Sequence, residues 1–262
     1  MIKINMKRYT FLLFFVFVFF SLQGKSPESM VLRDVGNGTE VISQYGTNFG
    51  FFMPETGGYL YTGLILGDKS IWLNEANKCR IDKKENGWIV HISDPLLEKG
   101  KLKIHVLPLS SSNGLIIQVI GKDIPENLQF LWAYGGCSAK NEPSEKTTFL
   151  KPEQCLYNVF SREINTFTVY YGSNLKLKVM MGVGPLNTET RLTDANKMTN
   201  PFELWNSGKK TDAPVMSAIN VIKAGEPYYY CIYRQNKEAD YNYQMLPDLF
   251  KKELTIKKIQ SK

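Results

Sequence analysis

Alternation of apolar and polar residues runs through most of this chain. In "KLKIHVLPL", Leu102, Ile104 and Val106 alternate with Lys101, Lys103 and His105. In "LKLKVMMGV", Leu175, Leu177 and Val179 alternate with Lys176 and Lys178. A period of two with one apolar face predicts half-buried strands. Turn signals fall between such runs. Asn86-Gly87 divides "CRIDKKENGWIVHIS", a strong hairpin signal. "SSSNG" precedes "LIIQVIGK", and Gly172-Ser173-Asn174 joins "INTFTVYYG" to "LKLKVMMGV". Ala224-Gly225-Glu226-Pro227 separates two more strands in "SAINVIKAGEPYYYCIYR". Roughly a dozen strands at about ten-residue spacing predict an all-β antiparallel sandwich rather than a βαβ fold.

Two segments depart from this pattern. "MLPDLFKKELTIKKI" places Leu246, Leu249, Phe250 and Leu254 close to helical spacing, with Pro247 near the first turn. A short C-terminal helical tail over 241–262 is the expectation. Leu186 to Pro214, rich in Thr, Asn and Asp and containing Trp205, carries the weakest signal for regular structure. A long loop in a compact domain is often functional, though a plain surface loop fits equally.

The N-terminus changes the picture of the compartment. Lys3, Lys7 and Arg8 precede an apolar run from Phe11 to Phe20, which passes through Ser21-Leu22-Gln23 to Gly24. That is the layout of a secretory signal peptide over 1–24. The run is about half of the roughly 20 residues a membrane span needs. The expectations are export to the periplasm or cell surface, no integral membrane segment after cleavage, and one sandwich domain over 25–240.

Charge excludes one partner class. Of the net +7, three charges belong to the leader. Another three come from the tail, where five lysines face Asp248 and Glu253, so the body is left at +1. A near-neutral body argues against nucleic acid, which needs a concentrated basic face. The four cysteines, Cys79, Cys137, Cys155 and Cys231, are widely spaced without a C-x-x-C, so a zinc site is not expected. Export would permit disulfides, but buried free thiols are the simpler expectation.

Candidate chemistry is sparse. The two histidines, His91 and His105, fall on the polar sides of their pleats and read as surface or packing residues. Ser207-Gly208-Lys209-Lys210 matches S-x-x-K alone, without the companion motifs of lactamase-type enzymes. Cys137 follows two glycines but has no nearby basic partner to activate it. Glu142, Glu145 and Glu153 cluster after it, and Asp194 lies in the long loop. Glycoside chemistry needs an acid and a base or nucleophile across a sugar, but solvated charges are the simpler account. No cofactor or metal is expected. Aromatics remain. Trp132 and Tyr134, at i and i+2, share one face of a strand, and Trp205 and Tyr229 join them as carbohydrate-binding candidates. Core packing is the competing explanation for each.

Longer stretches carry a resemblance. "NGTEVISQYGTNFGFFMPETGGYLYTGLIL", "SIWL", "ISDPLLEKGKLKIHVLPL", "LWAYGGCSAK" and "FLKPEQCLYNVF" follow one another in order. The most specific pieces are Asp94-Pro95-Leu96-Leu97, Tyr134-Gly135-Gly136 and Pro152-Glu153-x-Cys155. Over 37–234 the chain resembles the N-terminal domain-of-unknown-function family numbered four-four-five-zero, found in exported proteins of glycan-degrading gut bacteria. The resemblance implies a galactose-mutarotase-like supersandwich of the kind that precedes an (α/α)6 barrel, where the catalytic acid and base usually lie. Here the sequence stops after a tail that looks like the start of the linker. The expected function is therefore an exported non-catalytic sandwich of a glycan-utilisation system. Its partner would be a polysaccharide, an oligosaccharide or a separate glycosidase barrel. The alternatives are a hydrolase or lyase using Glu142, Glu145 or Asp194, and a structural remnant truncated from its barrel.

Overall fold

A computed structural model describes residues 30–33, 40–43, 50–52, 58–84, 87–136, 150–156, 159–173, 176–208 and 210–260. The leader, Cys137, Glu142 and Glu145 lie outside them. In chain order the first strands are β1 (Met30–Arg33), β2 (Glu40–Ser43), β3 (Gly50–Phe52), β4 (Tyr59–Leu66) and β5 (Lys69–Trp72). β6 (Lys78–Lys84), β7 (Gly87–Ser93), β8 (Lys101–Pro108), β9 (Gly114–Lys122) and β10 (Gln129–Gly135) follow. Then come β11 (Val159–Arg162), β12 (Thr166–Ser173), β13 (Lys176–Val183), β14 (Glu189–Asp194), β15 (Pro214–Val221) and β16 (Pro227–Arg234). A short helix covers Pro201–Asn206, and a C-terminal helix covers Leu246–Gln260.

The strands form two eight-stranded antiparallel sheets among the described residues. The first runs β1-β2-β3-β4-β10-β15-β14, with β5 also on β4; the second runs β11-β12-β13-β16-β9-β8-β7-β6. The expected sandwich is present. The Asn86-Gly87 signal falls where β6 and β7 pair, with Lys84 opposite Gly87. β15 and β16, consecutive in sequence, lie in different sheets, so the Ala224–Pro227 connection crosses the sandwich rather than closing a hairpin.

Three apolar layers result. The middle one lies between the sheets and holds Trp88, Trp132, Tyr134, Phe130, Phe167 and Tyr230. Their rings contact across the gap: Phe130 with Tyr230 at 4.9 Å, Trp132 with Phe167 at 5.2 Å and with Tyr230 at 5.7 Å. A second layer lies outside the first sheet, where Tyr61, Trp72, Leu131 and Val215 meet Leu204 and Trp205 of the short helix. A third lies outside the second sheet, where Leu107, Ile116, Cys231 and Tyr233 meet Leu246, Leu249 and Phe250 of the C-terminal helix. Central strands are thus buried on both faces, which is why "FLWAY" and "YYYCIY" are apolar without alternation.

Two glycines end β10 because nothing larger fits. Gly136 has φ +78, the left-handed region that penalises a Cβ, and a Cβ there would strike Leu150. A Cβ on Gly135 would press on Val215 and Leu150, at 3.0 and 3.2 Å.

Candidate functional site

The structure distributes the four aromatic candidates over three layers. Trp132 and Tyr134 do share a face, and it is the inner one: both are buried between the sheets. The indole Nε1 of Trp132 has no hydrogen-bond partner among the described residues. Tyr229 faces outward from β16 but is covered by the C-terminal helix. Its ring lies 5.6 Å from Phe250, and its hydroxyl accepts a hydrogen bond from Gln118 Nε2 at 2.9 Å.

Trp205 lies on the outer side of the first sheet, in a cleft. The region from Leu186 to Pro214, weak in sequence signal, holds a sheet-edge strand and a helix. The helix signal was present: Asn200 precedes Pro201, with Glu203 at the third position. The Asn200 side chain accepts a hydrogen bond from Glu203 N at 2.8 Å, capping the helix. Ser70 ties it to β5, accepting from Phe202 N at 3.1 Å. Trp72 Nε1 donates to Met198 O at 2.9 Å and fixes the preceding turn.

These constraints hold Trp205 against β14. The cleft has a volume of about 660 Å³ and is lined by Arg162, Arg191, Leu192, Trp205, Asn206 and Gly208. The Arg191 guanidinium lies 4.1 Å from the Trp205 ring centre, in cation–π geometry. Glu189 Oε1 accepts from Arg191 Nε at 2.8 Å and fixes the fork. Arg162 Nη1 donates to Thr190 O at 2.9 Å, linking the second sheet to the first sheet's edge. The cleft is therefore lined by two guanidinium groups and an amide, with the largely buried Trp205 ring stacked against Arg191. The sequence singles out Trp205 but neither of the arginines that line the cleft with it. Arg191 lies two residues from Glu189 on a short polar strand, and only the fold brings Arg162 near.

The remaining candidates are placed as follows. Asp194 accepts hydrogen bonds from Asn196 N at 3.0 Å, Asn196 Nδ2 at 2.8 Å and Thr211 Oγ1 at 2.9 Å. Burial pushes its carboxyl up, but these bonds outweigh burial and hold it below the usual carboxylate range. It therefore works as a cap within its loop. Ser207 of the S-x-x-K match accepts from Asp194 N and donates to Leu204 O, so its hydroxyl is engaged in the same loop. Glu153 is exposed, in a turn over Pro152–Gln154. Cys79 and Cys231 are free thiols, and burial pushes Cys79 up to about 11. His91 is half-exposed, 3.2 Å from Asp82 Oδ2. His105, expected on a polar face, instead sits under the C-terminal helix with its ring 5.3 Å from Phe250. Among the described residues, no three His, Cys, Asp or Glu side chains gather as metal ligands would. No described helix is long and apolar enough to cross a membrane.

Two solved structures align with most of this chain. A bacterial glucoamylase complexed with acarbose aligns over 82% of this chain and 33% of its own, at 12% identity and a TM-score of 0.49. The α-N-acetylgalactosaminidase NagBb from Bifidobacterium bifidum, complexed with GalNAc, aligns over 84% of this chain and 36% of its own, at 9% identity and a TM-score of 0.44. This chain spans about a third of the length of either. No curated protein matches it in sequence. A family model does match, over residues 53–253, and the chain belongs to that family, whose description is domain of unknown function (DUF4450).

Proposed function

We propose that this chain is an exported, non-catalytic carbohydrate-binding sandwich, and that the cleft at Trp205 is its binding site. The observation that carries this reading is the fixed Arg191–Trp205 stack within a cleft of about 660 Å³, beside Arg162 and Asn206. Sugars offer hydroxyls to planar donors and C–H faces to apolar surface. The guanidinium of Arg191 is held by the indole and by Glu189 before any ligand arrives, so little side-chain entropy remains to be lost on binding. Leu192, exposed at the cleft wall, gives the apolar contact. Trp132, Tyr134 and Tyr229 support the fold around this site and make no part of it. The structure lends the enzymatic alternative no support at Asp194, whose carboxylate is engaged as a cap.

The test is calorimetric titration of residues 25–262 with neutral hexasaccharides such as maltohexaose, cellohexaose and xylohexaose. At least one should bind. Arg191→Ala should weaken that binding by about tenfold, the scale of one charge-assisted hydrogen bond. Trp205→Phe should keep the fold and part of the affinity. Absence of binding across the panel, or an Arg191→Ala variant with unchanged affinity, rejects the reading.

A second reading, packing against a separate catalytic domain, has one observation in its favour. Val159 and Tyr170 are directly opposed on β11 and β12 and both exposed, beside a hairpin whose Ile164 is 79% exposed. Apolar residues that adjoin one another in this way form an exposed patch that fits a protein contact. Charged substitutions at Val159 and Tyr170 would leave sugar binding intact and abolish such an assembly, read by co-sedimentation with the barrel protein.

A further inference from the structure

On the opposite side of the sandwich, the outer face of the second sheet bears a groove of about 820 Å³. Its chemistry is set by strand register. Arg80, His91 and Lys103 stand opposite one another on β6, β7 and β8. Lys101 stands opposite Lys122 on β8 and β9. Lys78 shares the face of Arg80, two residues away. All six line the groove. With strands about 4.8 Å apart and same-face residues about 6.8 Å apart along a strand, five permanent cations and an imidazole occupy one small area.

Three observations show that this cluster is not an ordinary solvated face. The body of the protein, residues 25–246, carries a net charge of only +1, so a groove lined by cations without acids departs from a nearly balanced background. Lys101 and Lys122 are directly opposed, a like-charge pairing that costs a sheet stability. Compensation is also thin. Asp82 Oδ2 lies 3.2 Å from both Arg80 Nη2 and His91 Nε2, and none of the four lysines pairs with a carboxylate among the described residues. No acidic side chain lines the groove among the described residues. Its floor is apolar where Ile120 stands opposite Lys103.

We infer that this groove binds an anionic polysaccharide, the cations engaging its uronate carboxylates or sulfate esters while Ile120 meets a sugar C–H face. The shape argues against nucleic acid. A duplex is read by an element that projects into its groove, whereas this surface is concave. Single strands need aromatic stacking platforms, and the described lining has none beyond the imidazole of His91. The inference does not rest on the Trp205 cleft, which lies outside the other sheet.

The experiment titrates the full chain with a heparin hexasaccharide, a galacturonate hexasaccharide and maltohexaose, with a DNA duplex and phosphatidylserine vesicles as further arms. At least one acidic hexasaccharide should bind, and the pair separates sulfate from carboxylate recognition. Raising NaCl from about 50 to about 500 mM should weaken that binding more than tenfold, because the screening length for exposed charges shrinks from about 14 Å to about 4 Å over that range. Lys103→Ala with Lys122→Ala should weaken it about tenfold or more without lowering the thermal unfolding midpoint, since the opposed Lys101–Lys122 pair is relieved. Arg191→Ala should leave it intact, which separates this site from the Trp205 cleft. The proposal is overturned by lack of binding to both acidic sugars at low salt, by binding indifferent to the double substitution, or by tighter binding to DNA or vesicles than to either sugar.

Discussion

Strand β8 passes from bare surface to core along a single face. Lys101 and Lys103 are exposed, His105 is half-buried, and Leu107 is fully buried. The same change runs across β9, from Lys122 through Ile120 and Gln118 to Ile116. At the apolar end the C-terminal helix lays Leu246, Leu249 and Phe250 on the sheet; at the basic end nothing described covers it. One sheet face therefore serves two purposes. The helix claims the part that must be dry, and the remainder is free to carry charge that a buried face could not tolerate.

The largest effect should come from lifting the helix. Phe250 is 4% exposed and packs on both His105 and Tyr229. Phe250→Ala should cost about 3–5 kcal/mol, the range for deleting a buried aromatic ring. Lys103→Ala, two residues from His105, should stay within about 0.5 kcal/mol. Urea unfolding of both variants checks the contrast. Equal costs would mean that the helix does not cover a core.

Next in size is the polar pin that seats this helix. Glu253 is fully buried, and its Oε1 accepts from Ser110 N at 3.1 Å and Ser110 Oγ at 2.8 Å. The other oxygen, Oε2, is buried without a partner among the described residues. Glu253→Ala should cost about 1–3 kcal/mol, because it leaves the part-buried Ser110 donors unpaired. Glu253→Gln keeps one acceptor for Ser110, so it should cost less. Hydrogen exchange at the Ser110 amide would report the difference, and a Gln variant worse than the Ala variant would refute the pinning role.

How far this was legible follows from which interactions are local. The strands β8 and β13 and the C-terminal helix were readable because period two and the Leu246, Leu249, Phe250, Leu254 spacing are properties of adjacent residues. Which face of "LWAYGG" was inner was not, because both faces of β10 are buried and alternation disappears. The helix at Trp205 was signalled by Asn200-Pro201 but hidden in a polar stretch. The basic groove was invisible for a different reason. Lys78, Arg80, Lys101, Lys103 and Lys122 span 45 positions of chain, and only the pairing of four strands brings them together. Net charge, the sequence-level measure, averages such a cluster away.

The smallest prediction tests whether the two halves of the face sense each other. His105 stands at their boundary, where burial, and secondarily the neighbouring charge of Lys103, lowers its pKa from the ordinary 6.5 to about 4. The neutral form is favoured in the fold, so above pH 6.5 folded and unfolded chains are alike at this residue. Below that, the unfolded chain takes up a proton that the folded chain refuses, and stability falls between about pH 6.5 and about 4. His105→Leu should flatten the pH dependence in that window without losing a hydrogen bond at Nε2, which has no partner among the described residues. Lys103→Ala should do something subtler. Removing the cation should raise the pKa of His105 by a small amount, visible as a shift in its imidazole titration by NMR, while leaving the burial contribution in place. A titration unmoved by Lys103→Ala, or moved downward, would show that the helix insulates the covered half from the basic one.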